Sequence, residues 1–272
     1  MSVTSGAWRL ALPMYNVTPE LARYWESLLG VVVQALRGRG WSGSMDIVPA
    51  PDDLVAFWRA DDLLLSQTCG YPLVTLLGDA VQVVAAPVFN LPGCDGLQYC
   101  SVIVVAEHGV RDLASLRGSV AAINQQDSQS GMNMLRHTVA PLAQSGRFFG
   151  RIDVSGSHLA SMAMVQSGKA DVAAIDCVTY ALAERHAPQL VAGLRVLQRT
   201  VSAPGLPLIA SRALSELQLQ DLRDVLCSLS NLAPQLLAQL SLREFRPIAL
   251  GGYCPITEQI RFAVDRAYPL LA

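Results

Sequence analysis

The sequence predicts an α/β protein of two lobes, and three observations predict it. The chain has 272 residues, generous for one domain and natural for two lobes sharing a polypeptide. Apolar residues make up 51% of it and charged residues 15%, enough to bury a large core and too apolar for disorder. Along its length, short apolar runs alternate with longer helical patterns, the mark of βαβ units built around parallel sheets.

Leu10 to Met14 reads as a first strand. Thr18-Pro19-Glu20 then supplies an N-cap, a proline at the first helical position and an acid in the first turn, which predicts a helix to about Arg37. Met45 to Val48 is a strand, Pro51-Asp52-Asp53 opens a short helix, and Asp62 to Leu65 is a buried strand ending in the polar turn Ser66-Gln67-Thr68-Cys69-Gly70. A short helix and the strand Ala80 to Phe89 follow. Asn90 to Gly96 is the clearest loop in the chain.

A fresh series begins with the strand Tyr99 to Ala106 and a helix near Asp112 to Leu116. Three strand–helix units come next: Val120 to Asn124 with a helix from about Ser130, Ile152 to Val154 with Leu159 to Ser167, and Val172 to Ile175 with Cys177 to His186. Leu194 to Gln198 closes the series. From about Ala203 the chain reads as mostly helical, over Leu214 to Ser228, Pro234 to Leu240 and Thr257 to Ala267.

Composition removes several functions. Twenty basic residues face 22 acidic ones, with no basic stripe, so a nucleic-acid partner has no electrostatic footprint. The longest greasy stretch, Val74 to Leu91, is broken by Gly78, Asp79, Gln82 and Pro87 and is no membrane span. The amino terminus lacks a basic n-region followed by an apolar core and a cleavage site. Six scattered cysteines without a CxxC pair read as free thiols rather than as a zinc site; Cys94 and Cys100, the pair closest in sequence, are not read as bridged. No P-loop, dinucleotide fingerprint, HExxH or EF-hand loop occurs, so neither a cofactor, a metal nor a catalytic residue is expected.

Polar turns after parallel strands are where open α/β sheets hold ligands. Asn124 to Gly131 offers two hydroxyls, Ser128 and Ser130, with Gly131, where the first N–H groups of a helix lack partners and welcome an anion. A cap alone would use one such residue. Ser155-Gly156-Ser157-His158 repeats the pattern with an imidazole donor, or with a locally bonded helix-start histidine. Asp176 either holds a ligand or caps the next helix. Ser157, His158 and Asp176 also compose a nominal hydrolase triad, but no GxSxG elbow exists and neighbours in a chain rarely aim at each other as nucleophile and base.

Taken in order, these turns resemble the substrate-binding components of phosphate/phosphonate ABC importers, a branch of the type II periplasmic binding proteins. The matching segments are Leu116-Arg117-Gly118, Asn124 through Gly131, Ser155 to His158 and Gly168 to Asp176, with Leu12-Pro13-Met14-Tyr15 and Ser66 to Tyr71. The family's loop usually carries threonine where Gln129 stands. The resemblance implies two α/β lobes joined by two hinge strands around a ligand cleft, closing on the ligand. Lobe 1 would comprise 1–96 and 203–272, and lobe 2 residues 97–202. It implies that Ser128, Gln129, Ser130, Gly131, Ser157 and His158 hold a small oxyanion, that Tyr15, Gln67, Thr68 and Tyr99 wall the cleft, and that Asp176 meets an amino group. The partners implied are a small anionic ligand and an ABC permease, without membrane insertion. The location is periplasmic where a leader has been removed; as written, a cytoplasmic ligand sensor stays open, as does a lyase or biosynthetic enzyme on the same scaffold.

Overall fold

The computed structural model describes residues 7–272. The reading of the amino terminus as leaderless falls in part on residues 1–6, outside the described residues. The chain forms two compact units, one running up to Asn90 and taking in Gly205–Gly252, the other made of Leu91–Pro204 with Tyr253–Ala272. Elements are numbered below in chain order.

The first unit is built on a six-stranded mixed sheet ordered β13-β4-β12-β3-β1-β2. Its strands are β1 (Trp8–Ala11), β2 (Met45–Ile47), β3 (Leu63–Gln67), β4 (Val81–Phe89), β12 (Leu208–Ser211) and β13 (Leu242–Arg246). Central β3 is buried along its whole length, which is why it reads as an unbroken apolar run rather than an alternating one. Its helices are α1 (Pro19–Gly38), α2 (Leu54–Trp58), α3 (Gly70–Pro72), α7 (Glu216–Leu232) and α8 (Pro234–Gln239). Thr18 caps α1 by accepting from the Leu21 N–H. The stripe Leu21, Trp25, Leu28, Leu29, Val32, Val33 and Leu36 is buried, the i, i+3/i+4 spacing of a helix laid on a core. α1 packs on α7, which starts in a capping box formed by Ser215 and Gln218.

The second unit holds a five-stranded sheet ordered β10-β6-β9-β7-β8. The strands are β6 (Ser101–Ala106), β7 (Val120–Ile123), β8 (Arg151–Val154), β9 (Val172–Asp176) and β10 (Leu194–Arg199); β5 (Gln98–Tyr99) pairs separately with β11 (Ala203–Pro204). β8, β7 and β9 are parallel, β6 runs antiparallel to β9, and β10 runs antiparallel to β6. Around them lie α4 (Met134–Val139), α5 (His158–Gln166), α6 (Cys177–His186) and α9 (Cys254–Val264). Among the described residues no helix is long and apolar enough to cross a membrane.

The chain after Ala203 is mostly helical, as expected, but it also supplies strands that were not expected: β12 inserts between β3 and β4, and β13 pairs with β4 at the sheet edge. The segment 253–272 belongs with the second unit rather than the first. Its reason is specific packing. The Phe262 ring lies 4.3 Å from that of His137 on α4, Tyr268 is wholly buried, and the terminal Ala272 carbonyl accepts from the N–H groups of Phe148 and Phe149.

Candidate functional site

Three parallel strands of the second unit end side by side. The order β9-β7-β8 sets the turn after Ile123 between Asp176 on one flank and Ser155 on the other. Each strand then feeds a helix start, so three helix amino termini gather along one sheet edge. Such ends concentrate partial positive charge.

The central turn is drawn tight by Ser128. Its Oγ accepts from the Gly131 N–H at 2.9 Å, and its carbonyl accepts from the Asn133 N–H five residues on. That wide first turn, Gln129–Asn133, precedes α4 proper. Ser128 is thus the cap, which leaves Ser130 for another task. The Ser130 Oγ lies 2.8 Å from Nε2 of His158, and its carbonyl accepts from the Ser101 Oγ at 3.0 Å.

The neighbouring turn is locked to the first through the backbone. Gly156 N–H donates to the Asn124 carbonyl and Ser155 N–H to that of Ile123. Ser157 caps α5 through the Ala160 N–H at 3.1 Å, and Ser155 Oγ lies 2.7 Å from Ser161 Oγ. Gly131 is where the two turns touch. A Cβ there would stand 1.9 Å from Asn124 Oδ1 and 3.3 Å from His158 Cε1, so only glycine allows the approach. Asn124 Oδ1 is enclosed without a protein partner.

Burial pushes the His158 imidazole down to about 4, opposed by the Ala174 carbonyl, which favours the protonated ring although it completes no well-aligned bond to the enclosed Nδ1. At neutral pH the ring is uncharged. An unfolded histidine titrates near 6.5, so between the two values only the unfolded chain holds the proton. The associated stability is complete above about pH 6.5 and is lost as pH falls toward 4, to the extent of about 3 kcal/mol. Thermal melts between pH 7.5 and 4.5 are expected to show a steeper fall in Tm for the natural protein than for His158→Gln. Parallel curves would contradict a neutral, enclosed histidine.

Asp176 is buried, and its Oδ1 caps α6 by accepting from the N–H groups of Val178 and Thr179 at 2.7 and 3.2 Å. The triad geometry is therefore not formed: Ser157 and Asp176 both serve as helix caps, and the serine that meets His158 is Ser130. Gln129 is fully buried and turned inward, in a run of amide hydrogen bonds. Its Nε2 donates to Gln259 Oε1 at 2.6 Å, its Oε1 accepts from Asn133 Nδ2 at 2.8 Å, and Asn133 Oδ1 accepts from Arg136 at 2.7 Å. Gln129 is thus engaged in the interior of the unit, and a shorter threonine would not span the same partners.

Tyr99 lies buried on β5, paired with Ala203. Tyr15, Gln67 and Thr68 belong to the first unit. Tyr15 is buried with φ +64° and packs edge-on against Phe89 at 5.2 Å, while Gln67 Nε2 donates to the Leu206 carbonyl and Thr68 N–H to that of Pro207. A cavity of about 430 Å³ in that unit lies past the ends of β1 and β2 and is walled by Leu12, Trp25, Leu29, Ile47 and Pro49; no expected site residue lines it. Among the described residues, no group of three or more His, Cys, Asp or Glu is arranged to hold a metal. Ser101, at the start of β6, was not foreseen, since nothing in a strand pattern marks which hydroxyl will support a distant turn.

The model of the family described as "ABC transporter, phosphonate, periplasmic substrate-binding protein" matches residues 20–253. This chain belongs to that family. Its members are periplasmic solute-binding proteins that work with ABC transporter permeases. Solved structures agree on the fold. A binding component of an ABC phosphonate transporter from Pseudomonas aeruginosa shares 19% identity over 96% of this chain and 88% of its own, with a TM-score of 0.78. PhnD1 of Prochlorococcus marinus, in complex with methylphosphonate, shares 17% over 96% and 98%, also at 0.78. A Xanthomonas citri protein bound to ATP shares 19% over 96% and 98%, at 0.71. No curated protein matches in sequence. The fold of the family member described here is accordingly that of the type II periplasmic binding proteins, and its function is solute binding for a small anion.

Proposed function

We propose that this protein binds a phosphonate or phosphate group at the sheet edge of its second unit, in the periplasm, and delivers it unaltered to an ABC permease. The observation that carries the reading is the contact of Ser130 Oγ with His158 Nε2 at 2.8 Å, which joins two helix-start turns into one polar cluster in which Ser128 and Ser130 are buried. The neutral Ser–His pair carries two mobile protons, so a hydroxyl or ring N–H can turn outward to an incoming oxyanion. The Ser130 N–H, and the N–H groups of His158 and Leu159 at the start of α5, add donors and partial positive charge. Asp176 at the same edge suits an amino group on the ligand's organic tail. Tyr15, Gln67 and Thr68 are not needed for this reading.

Binding without catalysis is supported by the same residues. A histidine held near 4 is a poor general base at neutral pH, and the nominal triad partners are engaged in capping. The test is a thermal-shift panel of methylphosphonate, phosphate, sulfate, acetate and ATP. At about a hundred times Kd, a bound ligand adds about 2.7 kcal/mol, and Tm is expected to rise by roughly 5–10 °C with methylphosphonate or phosphate. No shift with either, or a shift with acetate alone, would overturn the proposal.

A further inference from the structure

Three of the six cysteines, 94, 100 and 177, meet in the second unit although they are scattered in sequence. Cys94 Sγ lies 3.7 Å from Cys177 Sγ, across 83 positions of chain. Gly93, at φ +94°, is what permits this: a Cβ on it would stand 2.9 Å from both Cys100 Sγ and Cys177 Cβ, so the turn brings its backbone directly onto the two buried thiols. All three are free thiols; Cys100 and Cys177 are buried and Cys94 is only partly covered.

We propose that Cys94 and Cys177 form a disulfide when the protein meets a peroxide, tying the 91–96 turn to the first residue of α6. The less buried partner, Cys94, reacts first. The Cys94 sulfur attacks one peroxide oxygen, the O–O bond breaks, and water leaves, giving a sulfenic acid at Cys94. The Cys177 sulfur then attacks that sulfur; its proton leaves with the hydroxyl as a second water, and the S–S bond closes. Two thiols are oxidised by two electrons and one peroxide is reduced to two waters. Cys100 is the less suited partner of Cys177. The Cys177 N–H donates to the Cys100 carbonyl, and the adjoining residues Ser101 and Asp176 are register partners of an antiparallel ladder. Cys100 also touches Cys177, but it is buried and fixed at the end of that ladder, away from an oxidant, whereas Cys94 is partly exposed on a turn, where its sulfur is reached first and then closes on Cys177 to about 2 Å. Because Cys177 adjoins Asp176, the bond would fix the start of α6 at the candidate anion site.

The experiment uses the full chain, reduced, desalted and treated with a few equivalents of hydrogen peroxide, then alkylated in denaturant and digested with trypsin. The fragment 60–111, which carries Cys94 together with Cys69 and Cys100, is expected to appear linked to fragment 170–185, which carries Cys177, at the summed mass of the two with the two unlinked thiols alkylated, less two hydrogens, and the variants identify which thiol is joined. The link is expected to vanish in Cys94→Ser and to persist in Cys100→Ser. Circular dichroism confirms that each variant is folded, and Cys94→Ala stands in should the serine variant fail. No linked fragment in the natural protein, or a link that survives loss of Cys94, would overturn the assignment.

Discussion

Replacing Arg136 by methionine is expected to lower unfolding stability by about 3 kcal/mol. Arg136 is 3% exposed, and its guanidinium donates to Asn133 Oδ1 and to the Pro269 carbonyl. Methionine fills similar volume but donates nothing, leaving the buried Asn133 Oδ1 short of a partner at about 1–3 kcal/mol and removing the charged donor from the Pro269 carbonyl. The damage spreads because Asn133 is also bonded to Gln129, and Gln129 to Gln259. These residues fasten the start of the α4 segment to the carboxyl-terminal helix α9, and breaking one link frees its neighbours. Urea unfolding followed by circular dichroism is expected to shift its midpoint down by roughly 1 M. An unchanged midpoint would mean that the buried amide run contributes little.

The second large effect concerns binding. Ser130→Ala is expected to raise the Kd for methylphosphonate by about 10- to 100-fold, the weight of one or two hydrogen bonds to a charged group. His158→Ala is expected to do the same. Because the two side chains lie 2.8 Å apart, the double variant should lose less than the product of the single effects. Isothermal titration calorimetry of all four proteins measures the coupling. Fully additive losses would show that serine and histidine meet the ligand independently, and no loss at all would move the site elsewhere.

Much of this surface is legible in the chain itself. Parallel strands joined by helices must end on the same side of their sheet, so the turns after Ile123, Val154 and Ile175 were bound to become neighbours once the alternation was recognised. Caps are equally local, and Thr18, Asp53, Ser128, Ser157 and Asp176 all cap the helices that their positions predict. Which hydroxyl caps and which reaches across is not local. Ser128 and Ser130 look alike in sequence, and only the position of His158, 28 residues on, separates their tasks. The same holds for Gln129, whose partner lies 130 residues away.

The elements that went unseen share a physical cause. β12 is a four-residue run, Leu208–Ser211, buried throughout, so it has no polar alternation to announce it. β13, Leu-Arg-Glu-Phe-Arg, carries three charges and is held as a strand by pairing with β4. Its state is decided by a partner far off in the chain, as sheet propensity usually is. The docking of 253–272 on the second unit likewise depends on Phe262, Tyr268 and Ala272 finding distant partners.

The central claim is that the turns at 128–131 and 155–158 compose one anion site. The most direct measurement is a crystal structure of the protein with methylphosphonate. The account predicts the phosphonate oxygens within hydrogen-bonding distance of both the Ser128–Gly131 turn and the Ser130–His158 pair. Density for the ligand that touches neither turn, as in the first-unit cavity beside Trp25, would contradict it.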